Sequence, residues 1–526
     1  LEQLGYACLI ERHGLPALPL PVTSVVNEAI PGRRSSERGG KRYEEFSPSY
    51  RPADTAFGHL RFALRYEGLN LHVLKLLFDR IGGEEVRTAL LEKKTSAVAR
   101  RLGFLFEWLT NQTLDIPAGL SGRSNYVAVV DEKLQFGLNS PKPLRNEKFR
   151  VIDNLPGTPT FCPLVRRTQH LQTMTGKGLA ELATRKLAGY DKQLLLRAAS
   201  FLYLKETHSS FEVEREKPSA SRARRFADLL QESESDSDLS MERFVELQNA
   251  IVESRFQETS WRQTQNWLGE DHGYRKKVEF VPPRPEDVPA LMEGLITLSG
   301  RLREAHSTMK GAPAGSSVQA IDPVVAATSI SFGFVFIHPF LDGNGRLHRY
   351  LIHEQLSTHG FTPKGFILPV SAVILATLDR YKAALTAFSA PVMRLTSYDP
   401  TLPGDIATGN EQVYFRYFDA TEQASFLYDA LERTIETDLD QEISFLIGFD
   451  RAREALNSSA DWPGQSRDLF INLVRENQGR LSQTKRKSQF PHLEDAEIAE
   501  FETIVRRAFD LSIAKDDILI DQSQPP

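Results

Sequence analysis

The residues best equipped for chemistry lie in one stretch, His338-Pro339-Phe340-Leu341-Asp342-Gly343-Asn344-Gly345-Arg346-Leu347-His348-Arg349. It combines an imidazole, a carboxylate, a Gly-Asn-Gly turn and two arginines. An imidazole with an ordinary pKa near 6.5 serves as a general base at neutral pH. A carboxylate offers hard oxygen to Mg²⁺, which is usually held by one or two carboxylates together with phosphate oxygens. Arginines make charge-assisted, forked contacts to phosphate. The chemistry indicated is the handling of a polyphosphate and a metal beside a base. Taken singly, these residues also fit a tight turn, a cap and a solvated face; the complete set does not.

Positioning such a set requires two helices and a short loop. The apolar run Val324 to Ile337 precedes the stretch, and Tyr350, Leu351, Ile352 and Leu356 follow it to about Gly360. Apolar spacing of three and four predicts a helix on each side. The glycines then fall at the N-terminus of the second helix. Free N–H groups and the helix dipole favour an anion there, and glycine lets phosphate oxygens approach the backbone. On this reading the Gly343, Asn344 and Gly345 segment cradles phosphates, with the Asn344 side chain contributing. Phe340 reads as a core anchor for the loop and His348 as a helix-surface residue.

The stretch resembles the signature of the Fic family, HxFx(D/E)GNGRxxR, with every fixed position filled. Upstream, Ser210-Phe211-Glu212-Val213-Glu214-Arg215 resembles that family's inhibitory motif, (S/T)xxxE(G/N), with Arg215 departing from the pattern. Ser210 and Glu214 share a helix face one turn apart. Residues 264–268 and 277–281 flank Gly269-Glu270-Asp271-His272-Gly273 and read as a hairpin about a turn. Its place in the chain resembles the Fic flap, which seats a target segment by strand addition.

The resemblance runs from the inhibitory motif to about residue 400. It implies transfer of AMP from ATP to a Ser, Thr or Tyr hydroxyl of a target protein docked on the flap. In that scheme His338 is the base, Asp342 holds Mg²⁺, Arg346 binds the inner phosphates and Arg349 the γ-phosphate. The same charges imply that Glu214 pairs with Arg349 and competes with ATP. Relatives of this fold also transfer other nucleotides, phosphocholine or phosphate, or remove AMP. The Gly343-Asn344-Gly345-Arg346 sequence favours nucleotide transfer over the phosphate-transfer branch but leaves the base open.

The fold class expected is mainly α: a Fic-type helical core with a small β-hairpin flap, plus helical N- and C-terminal domains. We divide the chain into an N-terminal extension (1–50), a mostly helical domain (51–205), a catalytic domain (206–400, with the inhibitory helix at about 206–216 and the flap at about 262–282) and a helical C-terminal region (401–526). Residues 22–55 read as irregular, with the polar 32–41 segment a mobile loop; Tyr126–Val130 and Leu134–Leu138 read as short strands. Gln231 to Asp238, acidic and serine-rich, reads as a solvated linker, and Ser240 as the cap of the next helix.

The 526 residues carry a net charge of −5 and two cysteines, Cys8 and Cys162. That small charge gives no reason to expect nucleic acid or an anionic membrane as the main partner. No Cys/His cluster suggests zinc, and two distant cysteines suit a reducing compartment. No apolar run reaches membrane-spanning length, and Leu1 to Pro21 does not pattern as a signal peptide, so the expected location is cytoplasmic. From about residue 461, two helical patterns surround Gly479-Arg480-Leu481-Ser482 and precede Lys485-Arg486-Lys487. They fit a helix-turn-helix or winged module that reads DNA, or a protein-contact module with a solvated charge run. A regulatory DNA- or protein-binding protein is therefore the rival from another class. The sequence sets no oligomeric state.

Overall fold

In the computed structural model the apolar stretch before His338 is a helix, Pro323–Ile337, with every residue buried except Val335. A helix apolar on all sides belongs at the centre of a core, and the elements around the site are arranged about this one. The structure describes all residues except 40, 118, 120, 121, 123, 191, 233–237, 274–275, 311–319, 364 and 512–526. Residues 233–237 of the acidic, serine-rich stretch thus lie outside the described residues.

The chain forms two compact units, Leu1–Thr184 with Tyr203–Glu432, and Arg185–Leu202 with Arg433–Pro526. The first begins with α1 (Gly5–His13), β1 (Thr23–Val26), β2 (Arg33–Arg38) and β3 (Lys41–Phe46), which form a sheet in the order β1-β3-β2. Helices α2 (Ala56–Tyr66), α3 (Leu71–Ile81), α4 (Glu84–Glu92) and α5 (Ala97–Thr110) follow. Their leucine and phenylalanine faces close over one another in a core that includes Leu74, Leu77, Phe78, Leu102, Leu105 and Phe106. A small sheet, β4 (Val127–Ala128), β5 (Leu144–Asn146) and β6 (Val151–Asp153), covers α5, and α6 (Gln169–Gly176) and α7 (Leu179–Ala188) come next.

The site is built by the elements after α7. They are α8 (Lys192–Val213), α9 (Ala220–Glu232), α10 (Met241–Ile251), the hairpin β7 (Leu268–Asp271) and β8 (Lys276–Phe280), α11 (Val288–Lys310), α12 (Pro323–Ile337) and α13 (Asn344–Thr358). α12 starts cleanly because Asp322 caps the Val324 and Val325 N–H groups. Ser240 caps α10 through the Arg243 N–H at 3.1 Å, as its sequence position predicts. After α13 come α14 (Val370–Ala376), α15 (Leu378–Met393), α16 (Gln412–Arg416) and α17 (Thr421–Arg433). The Tyr414 to Phe418 aromatics are packed inside, with Phe418 against Phe336 and Phe388.

In the second unit, α18 (Leu439–Ser459), α19 (Gly464–Glu476), α20 (Gln483–Gln489) and α21 (Asp495–Ala508) enclose a separate core. Trp462 touches Phe470, Phe490 and Phe501 there. The protein is mainly α with small β elements. Among the described residues no helix is long and apolar enough to cross a membrane.

Three sequence expectations need correction. The 22–55 stretch, read as irregular with a polar loop, contains the strands β1, β2 and β3; Arg33–Arg38 of its polar part is β2, paired antiparallel with β3. Charge replaces apolar alternation as the sheet's adhesive: Glu45 is buried and accepts from Ser36, Asn27, Arg34 and Arg38. Residues Leu134–Leu138 are not a strand; Gln135 forms one isolated bridge with Arg166. The hairpin is shifted along the chain, with Gly269-Glu270-Asp271 inside β7 rather than in the turn. A register shift between Leu268 and Gly269 hides that strand from the period-2 pattern.

Candidate active site

His338 ends α12 in a left-handed conformation (φ 52°, ψ 60°). This turn sends the chain sharply into the loop that leads to α13. The imidazole Nδ1 lies 3.3 Å from the Val335 carbonyl. A carbonyl only accepts, so Nδ1 carries the proton and Nε2 keeps its lone pair. Burial, with the Arg262 charge added, pushes the pKa down to about 4, so the ring is neutral at pH 7.

The loop is braced from within and from α10. Asn344, 2% exposed, accepts the Phe340 N–H at 3.1 Å and donates to the Phe340 carbonyl at 2.8 Å. Glu258 accepts the Leu341 N–H at 2.7 Å. Gln248 donates to the Asp342 carbonyl at 3.3 Å. Gly343 opens α13 at φ +89°, with its Cα against Val252, where a β-carbon would lie 2.9 Å from Cγ1. Asp342 Oδ1 accepts from the Gly343 N–H (2.6 Å) and from Arg346 Nη2 (2.8 Å).

The end of α8 lies along α13, and the two helices pair turn by turn. Glu206 meets His353 at 2.8 Å. One turn on, Arg349 donates from Nε to Ser210 Oγ (2.8 Å) and from Nη2 to the Ser210 carbonyl (2.7 Å). One further turn on, Glu214 Oε1 accepts from Arg349 Nη2 at 2.8 Å, and Oε2 lies 3.1 Å from Arg346 Nε. A β-carbon on Gly345 would collide with Glu214 Oε1, so the carboxylate lies directly on the N-terminal turn of α13. That is where the helix dipole and free N–H groups favour an anion.

α8 ends in a Schellman turn: Arg215 N–H bonds to Glu212 O (2.8 Å) and Glu216 N–H to Phe211 O (3.1 Å). The left-handed position is Arg215, at φ 59°. Gly and Asn are favoured there, which gives the departing position of the motif a physical meaning. The turn brings Glu216 back toward the site, 2.8 Å from Arg346 Nη1 and 3.1 Å from Arg222. Phe211 is clasped between Arg346 (5.2 Å) and Arg222 (5.1 Å). Arg346 therefore faces three carboxylates, from Glu214, Glu216 and Asp342. Its buried Nε and Nη1 nonetheless lack an aligned hydrogen-bond acceptor.

Residues 238–356 match the Fic/DOC family. The matched segment runs from the start of α10 into α13 and contains the hairpin and the His338 to Arg349 stretch; Ser210 and Glu214 lie outside it. A Fido domain-containing protein of Dictyostelium discoideum is 32% identical over 103 residues, which is 19% of this chain and 63% of that protein. The chain thus spans less than two thirds of that relative's length. A Fic family protein from Desulfovibrio desulfuricans G20 aligns over 66% of this chain and 85% of its own, at 16% identity and a TM-score of 0.34. A Fic domain containing signaling protein from Bacteroides thetaiotaomicron VPI-5482 aligns over 49% and 96%, at 18% identity and a TM-score of 0.33.

Ser210, Glu214, Asp342, Arg346 and Arg349 form one connected cluster of hydrogen bonds and ion pairs at α13, with Gly343 as that helix's N-cap and Gly345 in its first turn. Two assignments change. The Asn344 side chain faces inward and braces Phe340, so it is not available to line a phosphate cradle. His348 is not on a surface: it is fully buried, Nδ1 donates to the Ser331 carbonyl at 2.8 Å, and its ring lies between Phe332 and Tyr381. α13 is covered on nearly all sides, so His348 had no exposed face to occupy.

Sequence reasoning missed Glu216 and Arg262. Glu216 matches no motif, and only the left-handed turn at Arg215 reveals it. Among the described residues no cluster of three or more His, Cys, Asp or Glu side chains could hold a metal. A single carboxylate, Asp342, fits Mg²⁺ when phosphate oxygens supply the other ligands. In the C-terminal unit, Lys487 of α20 is exposed and Arg486 pairs with Asp495.

Proposed function

We propose that this chain is a protein adenylyltransferase, which transfers AMP from ATP to a hydroxyl of a target protein and is held inactive by its own α8. The observation that carries the reading is the meeting of two buried arginines at the first turn of α13, beside an imidazole whose Nε2 is free to accept a proton.

In the reaction, the target hydroxyl oxygen attacks the α-phosphorus. The bond to the β-phosphate oxygen breaks, pyrophosphate leaves, and the hydroxyl proton passes to His338 Nε2. Backbone N–H groups at Gly343 to Gly345 and the two arginines hold the phosphates in line with the attacking oxygen, which is most of what such a site must do. Arg346 takes the inner phosphates and Arg349 the γ-phosphate. Asp342 and the phosphates would hold Mg²⁺, which supplies Lewis-acid neutralisation of the triphosphate. The target segment docks by strand addition on the β7–β8 hairpin.

Inhibition follows from competition. Glu214 occupies both arginines and the helix N-terminus, and Glu216 adds a second carboxylate on Arg346. ATP reaches the site only where these groups are displaced.

The test is intact-mass spectrometry after incubation with Mg²⁺ and each of the four NTPs. Glu214→Gly with ATP is expected to gain the mass of AMP, wild type far less, and Glu214→Gly/His338→Ala none. Equal modification with the histidine removed would overturn its role as base. A gain from a different nucleotide would keep the chemistry and change the donor.

A further inference from the structure

The hairpin β7–β8 enters through residues 261–267 and leaves through 281–284, and one buried side chain ties both segments to the catalytic loop. Arg262 is 2% exposed. Its Nε donates to the His338 carbonyl (2.9 Å), Nη1 to the Thr264 carbonyl (3.0 Å) and Nη2 to the Pro283 carbonyl. Its backbone N–H donates to the Pro339 carbonyl at 2.8 Å. Asn266 adds a contact from its Nδ2 to the Phe340 carbonyl at 3.4 Å. Three consecutive carbonyls, of His338, Pro339 and Phe340, therefore accept from the lead-in to the hairpin. Gln265 cross-ties the two feet by donating to the Pro282 carbonyl at 3.1 Å.

Arg262 is unlike the other arginines of the site because its acceptors are all backbone carbonyls. Glu258, which acts on it by charge, is itself bonded to the Leu341 N–H. A planar five-donor fork suits this task, since it fixes the directions of several acceptors at once. It also holds the carbonyl of a residue in a left-handed conformation, which an L-residue adopts only where its surroundings enforce it.

We propose that Arg262 is a positioning residue for the transfer reaction, locking the His338 backbone and both feet of the hairpin into one unit so that a strand seated on the hairpin meets the imidazole at a set distance. This rests on the reading of His338 as base and of the hairpin as docking strand.

The test uses the full chain with Glu214→Gly as parent, compared with Arg262→Gln and Arg262→Lys. With reacting groups misplaced by about 1 Å, kcat falls about 100-fold in Arg262→Gln while the dissociation constant for ATP stays within about twofold. Arg262→Lys recovers part of the loss, because an ammonium still donates to carbonyls. Hydrogen exchange in 264–283 and in 338–343 rises together in Arg262→Gln. Unchanged kcat in both variants, unchanged exchange, or a parallel loss of kcat, ATP affinity and melting temperature each overturn the assignment. A parent that transfers nothing overturns the reaction reading and this role with it. That failure is recognisable because the parent itself is inert, whereas failure of Arg262 alone leaves an active parent matched by its variants.

Discussion

Three buried arginines serve the His338 to Arg349 stretch, two within it and one outside, and they differ in what they hold. Arg346 and Arg349 pair with carboxylates, whereas Arg262 donates its hydrogen bonds to backbone carbonyls. The guanidiniums of the first pair are buried, but the side chains of Glu214, Glu216 and Asp342 are 28%, 34% and 35% exposed. A carboxylate that reaches solvent can be exchanged for another anion, and phosphate makes the same charge-assisted contacts. A backbone carbonyl cannot be exchanged for anything. On the proposed function the first cluster acts as a switch and the second as a fixture, although both are built from arginine.

The widest separation between the two comes from removing two of these three carboxylates, Glu214 and Glu216, and keeping Asp342. Glu214→Gly/Glu216→Gln is expected to raise automodification with Mg-ATP about 100-fold over wild type, from charge-assisted contacts of about 1.5–3 kcal/mol discounted for solvent exposure. Glu214→Gly alone leaves Glu216 on Arg346 and is expected to give about 10-fold on the same scale. Labelled ATP followed on a gel measures both. If the single variant matches the double, Glu216 has no part in the switch.

A smaller effect concerns pH. His338 titrates near 4 rather than 6.5, so its unprotonated form persists as pH falls and is lost only on approaching pH 4. In the Glu214→Gly background, kcat against pH should be flat in its His338 limb from pH 8 to about 5.5. A limb centred near 6.5 would mean that the imidazole is not held in the buried setting described.

The smallest effect lies at Arg215. A non-glycine residue in the left-handed region carries about 1 kcal/mol of strain. Arg215→Gly should relieve it, steady the end of α8 and lower wild-type automodification by about fivefold, with a matching rise in the denaturation midpoint. An increase in automodification would show that Arg215 itself supports the inhibited state.

Much of the site could be read before the structure because its residues are close in sequence or one helical turn apart. His338 to Arg349 is a single stretch, and Ser210 and Glu214 share a helix face that meets Arg349. The unread parts depend on information that period and motif do not carry. Glu216 joins the cluster through a positive φ at Arg215, and Arg262 reaches His338 across 76 residues of chain. Asn344 turns inward because the Phe340 main-chain groups needed partners in a dry loop. The β2–β3 pair escaped because ion pairs, not alternating apolar residues, hold it together.

The central claim is that Glu214, Glu216 and the phosphates of ATP compete for one anion site. Isothermal titration of Mg-ATP measures it most directly, comparing His338→Ala with His338→Ala/Glu214→Gly/Glu216→Gln, since neither protein consumes the nucleotide. The account predicts ATP binding at least about 10-fold tighter in the triple variant, as expected when a charge-assisted competitor is removed. Equal dissociation constants would contradict it.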